Sequence, residues 1–449
     1  MVSTHKRPTG DATSPQPPSL SAGKAGALDR PLTRRRFVAK GLAFVGLGAA
    51  MPAAFVRTAF AEGLPAGASD GLAATGRRML VVVQLGGGND GLNTLVPYAS
   101  GGYYDARPGL AVPPERVLAL DDRVGLHESL AALHPLYEAG QLAIVEGVGY
   151  PDPNRSHLTS MDIWHSAATD GGDGTGWLGR LMDYSAAEEG QLWRAANVGQ
   201  ALPLSLASEA RFVPSLDSVP AYVLQTDPRF PREADHRVTD WARLYASQAA
   251  YGGRLALVSE AGLAAYESTL QLAEAVGDSS GAAAAATVEY PSSPLGQALS
   301  TTAQLLTSHL GTGVCYVTTG GFDTHAQQQG QQEELLTAVA EALAAFQSDL
   351  DVQGIAGDVV TIVWTEFGRR FAENGSAGTD HGTAGPVFVL GERVRGGLHG
   401  EPPSLDRLDR GDLVHTTDFR SVYRTLLERH FEVDATAILG ASYPELPIL

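Results

Sequence analysis

Residues 79–91 read Met-Leu-Val-Val-Val-Gln-Leu-Gly-Gly-Gly-Asn-Asp-Gly, an apolar, β-branched run that stops abruptly at three glycines and a polar pair. A continuous apolar run of this length, bounded by a turn, is the pattern of a strand buried on both faces. The same pattern recurs at Leu142–Val148, Leu202–Leu206, Gly313–Thr318, Val359–Trp364 and Pro386–Leu390, so strands are expected there too. Apolar residues three and four apart predict helices over Glu334–Asp351 and Asp418–Phe431. Strands alternating with helices predict an α/β fold, a mostly parallel central sheet with helices on both faces.

Outward from that core, the N-terminal part reads as an export signal. Thr33-Arg34-Arg35-Arg36-Phe37-Val38 precedes a short apolar run, Gly41–Ala50, and the A-x-A sequence Ala59-Phe60-Ala61. The paired arginines resemble the twin-arginine signal, with cleavage expected after Ala61, a partner in the twin-arginine export machinery, and a destination in the periplasm or outside the cell. The apolar run is too short for a stable membrane span. Residues 62–76 read as a flexible linker and 77–449 as the folded domain, with a helical insertion around 210–295.

Composition excludes several functions. The net charge of −18 rises in magnitude once the basic leader is removed, which disfavours nucleic acid as a partner. All three lysines, Lys6, Lys24 and Lys40, lie in the leader, so the folded part supports neither a Schiff base nor a Walker-type phosphate loop. The lone Cys315 precludes an internal disulfide and is expected to be buried and inert.

In a parallel sheet, ligands bind beyond the carboxyl ends of the strands. The segments there carry acids and histidines: Gly86 to Gly91, Asp152 to His157, Gly320 to His325, Glu366 to Arg370, and Thr379 to Thr383 leading into the last strand. Carboxylates and imidazoles gathered at one edge repel each other unless a cation neutralises them, and a mixed oxygen and imidazole set suits zinc or manganese. Each segment also has a plainer reading. Gly86–Asp90 is a tight turn, Ser156 caps the helix starting near His157, Glu366 pairs with Arg369 or Arg370, and Asp380 shapes a turn before Gly382. His127, His134, His165 and His399 read as ordinary histidines.

Taken in order, Gly86-Gly87-Asn89-Asp90-Gly91, Arg155-Ser156-His157, Gly321-Phe322-Asp323-Thr324-His325, Thr365-Glu366-Phe367-Gly368-Arg369 and Asp380-His381-Gly382 resemble the exported bacterial proteins grouped as the domain of unknown function 1501 family. That family is similar to a distant branch of the alkaline phosphatase and sulfatase superfamily, which implies an alkaline phosphatase-like α/β fold with one or two divalent metal ions. Carried over by position, the resemblance implies Asp90 (or Asn89), Asp323, His325, Glu366 and His381 as metal ligands. Ser156 is implied as the nucleophile and Arg155 as the clamp on a small anionic ester substrate. Two departures stand out: Phe367 occupies the position of a second-metal histidine, and Asp323 and His325 are closer than the superfamily's pair. The Cys-x-Pro-x-Arg signature of formylglycine sulfatases is absent around Ser156. The expected function is therefore an exported metal-dependent hydrolase of phosphate or related esters. The alternative is a catalytically degenerate exported binding or assembly protein on the same fold.

Overall fold

The structure is a computed structural model that describes residues 78–185, 191–226, 234–249, 253–279 and 288–449. The expected leader and linker, residues 1–76, lie outside the described residues. The strands used here are β1 (Met79–Leu85), β2 (Leu142–Gly149), β3 (Ala195–Val198), β4 (Ser215–Leu216), β5 (Val314–Thr319), β6 (Val359–Trp364), β7 (Gly385–Leu390), β8 (Gly397–His399) and β9 (Thr417–Asp418). They form one nine-stranded sheet in the order β8-β2-β7-β6-β1-β5-β3-β4, with β9 also paired to β2. Strand β1 lies parallel to both β5 and β6, and among these pairings only those of β7, with β2 and β6, are antiparallel.

Side chains alternate across a strand, so β1 feeds two cores. Met79, Val81, Val83 and Leu85 enter the core on one face, beneath α5 (Pro294–Thr307) and α6 (Gln328–Val352). Leu80 and Val82 enter the core on the other, beneath α1 (His157–Ser166), α2 (Trp177–Tyr184) and α7 (Phe419–Thr425). The predicted α/β class with helices on both faces is thus the observed one. Burial on both faces is what makes the strands read as unbroken apolar runs.

Two strand expectations need correction. Leu202–Leu206 is not a strand; Leu204–Leu206 forms a 3-10 turn that follows Pro203. Pro203 has no N–H to give a ladder, and the turn's backbone lies so close to Gly176 that a Cβ there would sit 2.0 Å from the Leu204 carbonyl oxygen. The strand lies instead at β3, Ala195-Ala196-Asn197-Val198, where alanine and asparagine give little β signal. Its place is set by parallel pairing with Val314–Val317 of β5. The helix expected over Asp418–Phe431 is α7 followed by a wider π turn at Leu426–His430.

Within the expected insertion, α3 (Ala234–Ala249) packs on α4 (Gly253–Ser279), with the Trp241 ring edge-on to Tyr266 at 5.9 Å. Helix α4 is tied to the sheet side of the molecule by Trp193 Nε1, which donates to the Ser268 carbonyl at 3.2 Å. No described helix is long and apolar enough to cross a membrane.

Candidate metal centre

The five segments singled out above meet at one edge of the sheet. Four of them leave the carboxyl ends of β1, β2, β5 and β6. The fifth, Thr379–Thr383, enters the amino end of β7, and because β7 runs antiparallel, that end lies at the same edge.

The glycine turn after β1 forms the floor. Gly87 and Gly88 have φ of +121° and +78°, a region that glycine enters without penalty. A Cβ on Gly87 would lie 2.5 Å from the Asp323 backbone nitrogen, and one on Gly88 would lie 2.4 Å from the Phe367 ring. Their backbone groups, buried here, are used. Gly87 N–H donates to Glu366 Oε1 at 2.9 Å, while the Gly87 and Gly88 carbonyls accept from the Arg369 guanidinium. Arg369 is buried and also donates to the carbonyls of Phe322 and Thr379 and to Asp323 Oδ1, at 2.9, 2.9 and 2.8 Å, so it ties its own segment to three of the other four. It contacts Asp323, not Glu366, contrary to the pairing the sequence suggested.

On this floor stand three imidazoles. His157 is held because α1 is anchored: Trp164 stacks on Trp364 at 4.8 Å and on Phe419 at 4.4 Å, and Ser160 Oγ donates to the Glu366 carbonyl. His157 Nδ1 lies 2.7 Å from Glu366 Oε1, His381 Nδ1 lies 2.8 Å from the Arg155 carbonyl, and His325 Nδ1 lies 3.1 Å from Asp380 Oδ1. Each of these oxygens is an acceptor, so each Nδ1 is the donor. In the neutral ring, the proton on Nδ1 leaves Nε2 as a lone pair, and all three Nε2 atoms turn toward Asp323. His325 Nε2 and His381 Nε2 are 2.9 Å apart and each is 3.1 Å from Asp323 Oδ1, while His157 Nε2 is 3.4 Å from Asp323 Oδ2. His157 Nε2 is buried and has no hydrogen-bond partner.

Lone pairs directed at each other and at a carboxylate repel, and a single proton can bridge only one pair of them. A divalent cation satisfies all of them at once, and donors about 2.0–2.2 Å from one ion stand roughly 3 Å apart, as these do. Among the described residues, one ligand atom each from His157, Asp323 and His381 lies within 4.8 Å of the others, which suits metal binding. The second-sphere oxygens of Glu366, Arg155 and Asp380 match the arrangement that orients metal-bound histidines. Burial raises the Asp323 pKa, but the hydrogen bond and charge of Arg369, together with the neighbouring imidazoles, outweigh it and bring it down to about 2. The carboxylate is therefore ionised at neutral pH.

The structure thus brings Asp323, His325 and His381 together and places Glu366 behind His157, one ring away. It does not bring Asp90 to them. Asp90 is buried in a separate network: Oδ2 accepts from Arg107 Nη1 and from Gln328 Nε2, both at 2.6 Å, and Oδ1 from the Leu92 N–H at 3.2 Å. An arginine is its counter-ion. Ser156 is exposed at the N-cap of α1 and its side chain makes no cap hydrogen bond. Arg155 reaches the cluster through its carbonyl, while its guanidinium pairs with Asp412. Phe367 packs its ring 4.9 Å from His157 and 4.7 Å from His381.

The sequence did not single out His157 as a candidate ligand, because a histidine directly after a serine at a helix start reads as helix, and nothing in the chain announces that its Nδ1 will meet Glu366, 209 residues away. Cys315 is buried as expected, and burial pushes its thiol pKa up.

The family model described as protein of unknown function, DUF1501, matches residues 77–432. The chain belongs to the DUF1501 family. No curated protein matches it significantly. Among solved structures it is similar to the PsFucS1 sulfatase from Pseudoalteromonas sp., at 12% identity and a TM-score of 0.36 over 83% of this chain and 74% of that one. It is also similar to Ps i-CgsB, solved in complex with k-i-k-neocarrahexaose, at 9% identity and a TM-score of 0.30 over 82% of this chain and 73% of that one. At this level of likeness neither protein lends its chemistry to this chain.

Proposed function

We propose that this DUF1501 protein is an exported, metal-dependent hydrolase of phosphate or related esters, on a fold of alkaline phosphatase type. The observation that carries the reading is the set of three imidazoles whose Nδ1 protons are all spent on fixed oxygens while their Nε2 lone pairs surround one ionised carboxylate. Asp323, His381 and His157, with His325 beside them, would hold one zinc or manganese ion, which when bound supplies Lewis-acid stabilisation of negative charge. Glu366 and the Arg155 carbonyl keep the rings aimed. Ser156, whose hydroxyl is exposed at a helix N-terminus next to His157, is the nucleophile of this reading, because a helix N-terminus favours the developing alkoxide.

A second reading, an exported binding or assembly protein without turnover, is favoured by two observations. Asp90 is neutralised by Arg107 and so offers no second metal position, and Phe367 adds a ring where another ligand would stand. The separating experiment loads full-length protein with zinc or manganese and screens phosphomonoesters, phosphodiesters and sulfate esters, with Ser156→Ala and His381→Ala as controls. Metal-dependent turnover lost in both variants supports the hydrolase; one bound ion with no turnover on any ester supports the binding protein. N-terminal sequencing of the protein recovered outside the cytoplasm tests the cleavage expected after Ala61.

A further inference from the structure

Beside the imidazoles lies a second group of charges, built around the guanidinium of Arg155. Arg155 faces both groups. Its carbonyl accepts from His381 Nδ1 at 2.8 Å and its guanidinium pairs with one oxygen of Asp412. Arg370 Nε approaches the other oxygen of Asp412 at 3.3 Å. Asp412 is itself buried, its side chain 1% exposed, whereas the side chains of Arg155 and Arg370 are 39% and 35% exposed. Two guanidiniums therefore share one carboxylate that lies beneath them, and both keep an open side.

The local backbone is built around this pair. Asp412 belongs to a small ribbon in which Leu408 pairs with Leu413 and Asp409 with Asp412, joined by Arg410 and Gly411. Arg410 and Gly411 have φ of +51° and +88°, and a Cβ on Gly411 would lie 2.5 Å from Arg370 Nη2, so the turn makes room for that guanidinium. Arg370 also donates to the Arg410 carbonyl. Arg410 is itself paired with Asp409 at 3.1 Å, so three arginines meet two carboxylates here. In a chain of net charge −18 this local excess of positive charge borders the one edge where substrate would bind.

We infer that Arg155 and Arg370, fixed from below by Asp412, form a subsite for a second anionic group of the substrate, so that the molecule hydrolysed carries an acidic group beside its ester. The inference rests on the hydrolytic reading of the imidazole cluster. Guanidinium and carboxylate or phosphate groups form paired, charge-assisted hydrogen bonds, and the subsite would favour a doubly anionic ligand over its singly anionic parent by about tenfold or more.

The test is calorimetric binding of two non-hydrolysable probes, phenylphosphonate and 4-phosphonobenzoate, to zinc-loaded full-length protein. The expected result is at least about tenfold tighter binding of 4-phosphonobenzoate, with that ratio falling below about threefold in Arg370→Gln and in Arg155→Gln. The second variant keeps the main-chain carbonyl on His381 and serves if the first fails to fold. Equal affinities in the parent protein, or an unchanged ratio in folded variants, overturn the subsite alone. If the protein takes up no zinc and binds neither probe, the hydrolytic reading falls with it.

Discussion

Replacing Glu366 by Gln removes one charge from the site and almost nothing else. Glu366 is fully buried, and its Oε1 accepts from the Gly87 N–H at 2.9 Å and from His157 Nδ1 at 2.7 Å. A glutamine can place its amide oxygen at the same point and keep both acceptor contacts, so the turn after β1 and the orientation of His157 survive. What is lost is the negative charge behind the ring that strengthens a metal-bound imidazole as a donor. Changes of this kind behind a metal-bound histidine cost about 10- to 100-fold in metal affinity, or about 1.4–2.7 kcal/mol. Zinc titration against a competing chelator, with thermal melting of the metal-free protein as a control, measures this directly. Zinc affinity within about twofold of the parent, in a variant that melts normally, would refute the assignment of Glu366 as the residue that positions His157 for a metal.

Three further outcomes follow from the same geometry. Asp90→Ala leaves the fully buried Arg107 unpaired and is expected to cost about 3–5 kcal/mol in denaturant unfolding, while the number of zinc ions bound per chain stays the same. Gly88→Ala forces a side chain into φ +78° and against the Phe367 ring, and is expected to cost about 1–3 kcal/mol and to weaken zinc binding by displacing Phe367 from beside His157 and His381. The third concerns pH and two buried histidines outside the candidate metal centre. Burial lowers the pKa of His165 from 6.5 to about 3 and that of His430 to about 4. Between pH 6.5 and 4 the unfolded chain binds protons that the folded chain refuses, so stability present above pH 6.5 is lost as the pH falls. The loss approaches about 1.4 kcal/mol per pH unit for each histidine, and replacing His430 by a neutral isostere such as Gln should flatten that acid limb of the unfolding curve.

The sheet was legible because β1, β2, β5, β6 and β7 are covered on both faces, which leaves unbroken apolar runs bounded by glycine or polar residues. Strand β3 was not, since Ala195, Ala196 and Asn197 owe their extended shape to pairing with β5 and carry little preference of their own. At the site, position in the fold was readable and role was not. Asp323, His325 and His381 follow or precede strands at the expected edge, and the structure places them together. Asp90 sits at the same edge, but whether it meets a metal or an arginine depends on Arg107 and on Gln328 of α6, both brought in by tertiary packing. His157 and Glu366 reverse the picture: the acid expected to touch the ion stands behind the histidine that the helix pattern concealed. Arg369 was equally hidden, because its worth lies in four backbone carbonyls that no side-chain motif records.

The most direct measurement is anomalous diffraction at the zinc edge from crystals of the full-length protein grown with zinc. One ion is predicted, about 2.0–2.2 Å from Asp323 and from the Nε2 atoms of His157 and His381, with Asp90 still bound to Arg107. Absence of an ion at Asp323, or an ion seated on Asp90 in place of the Arg107 guanidinium, would contradict the account.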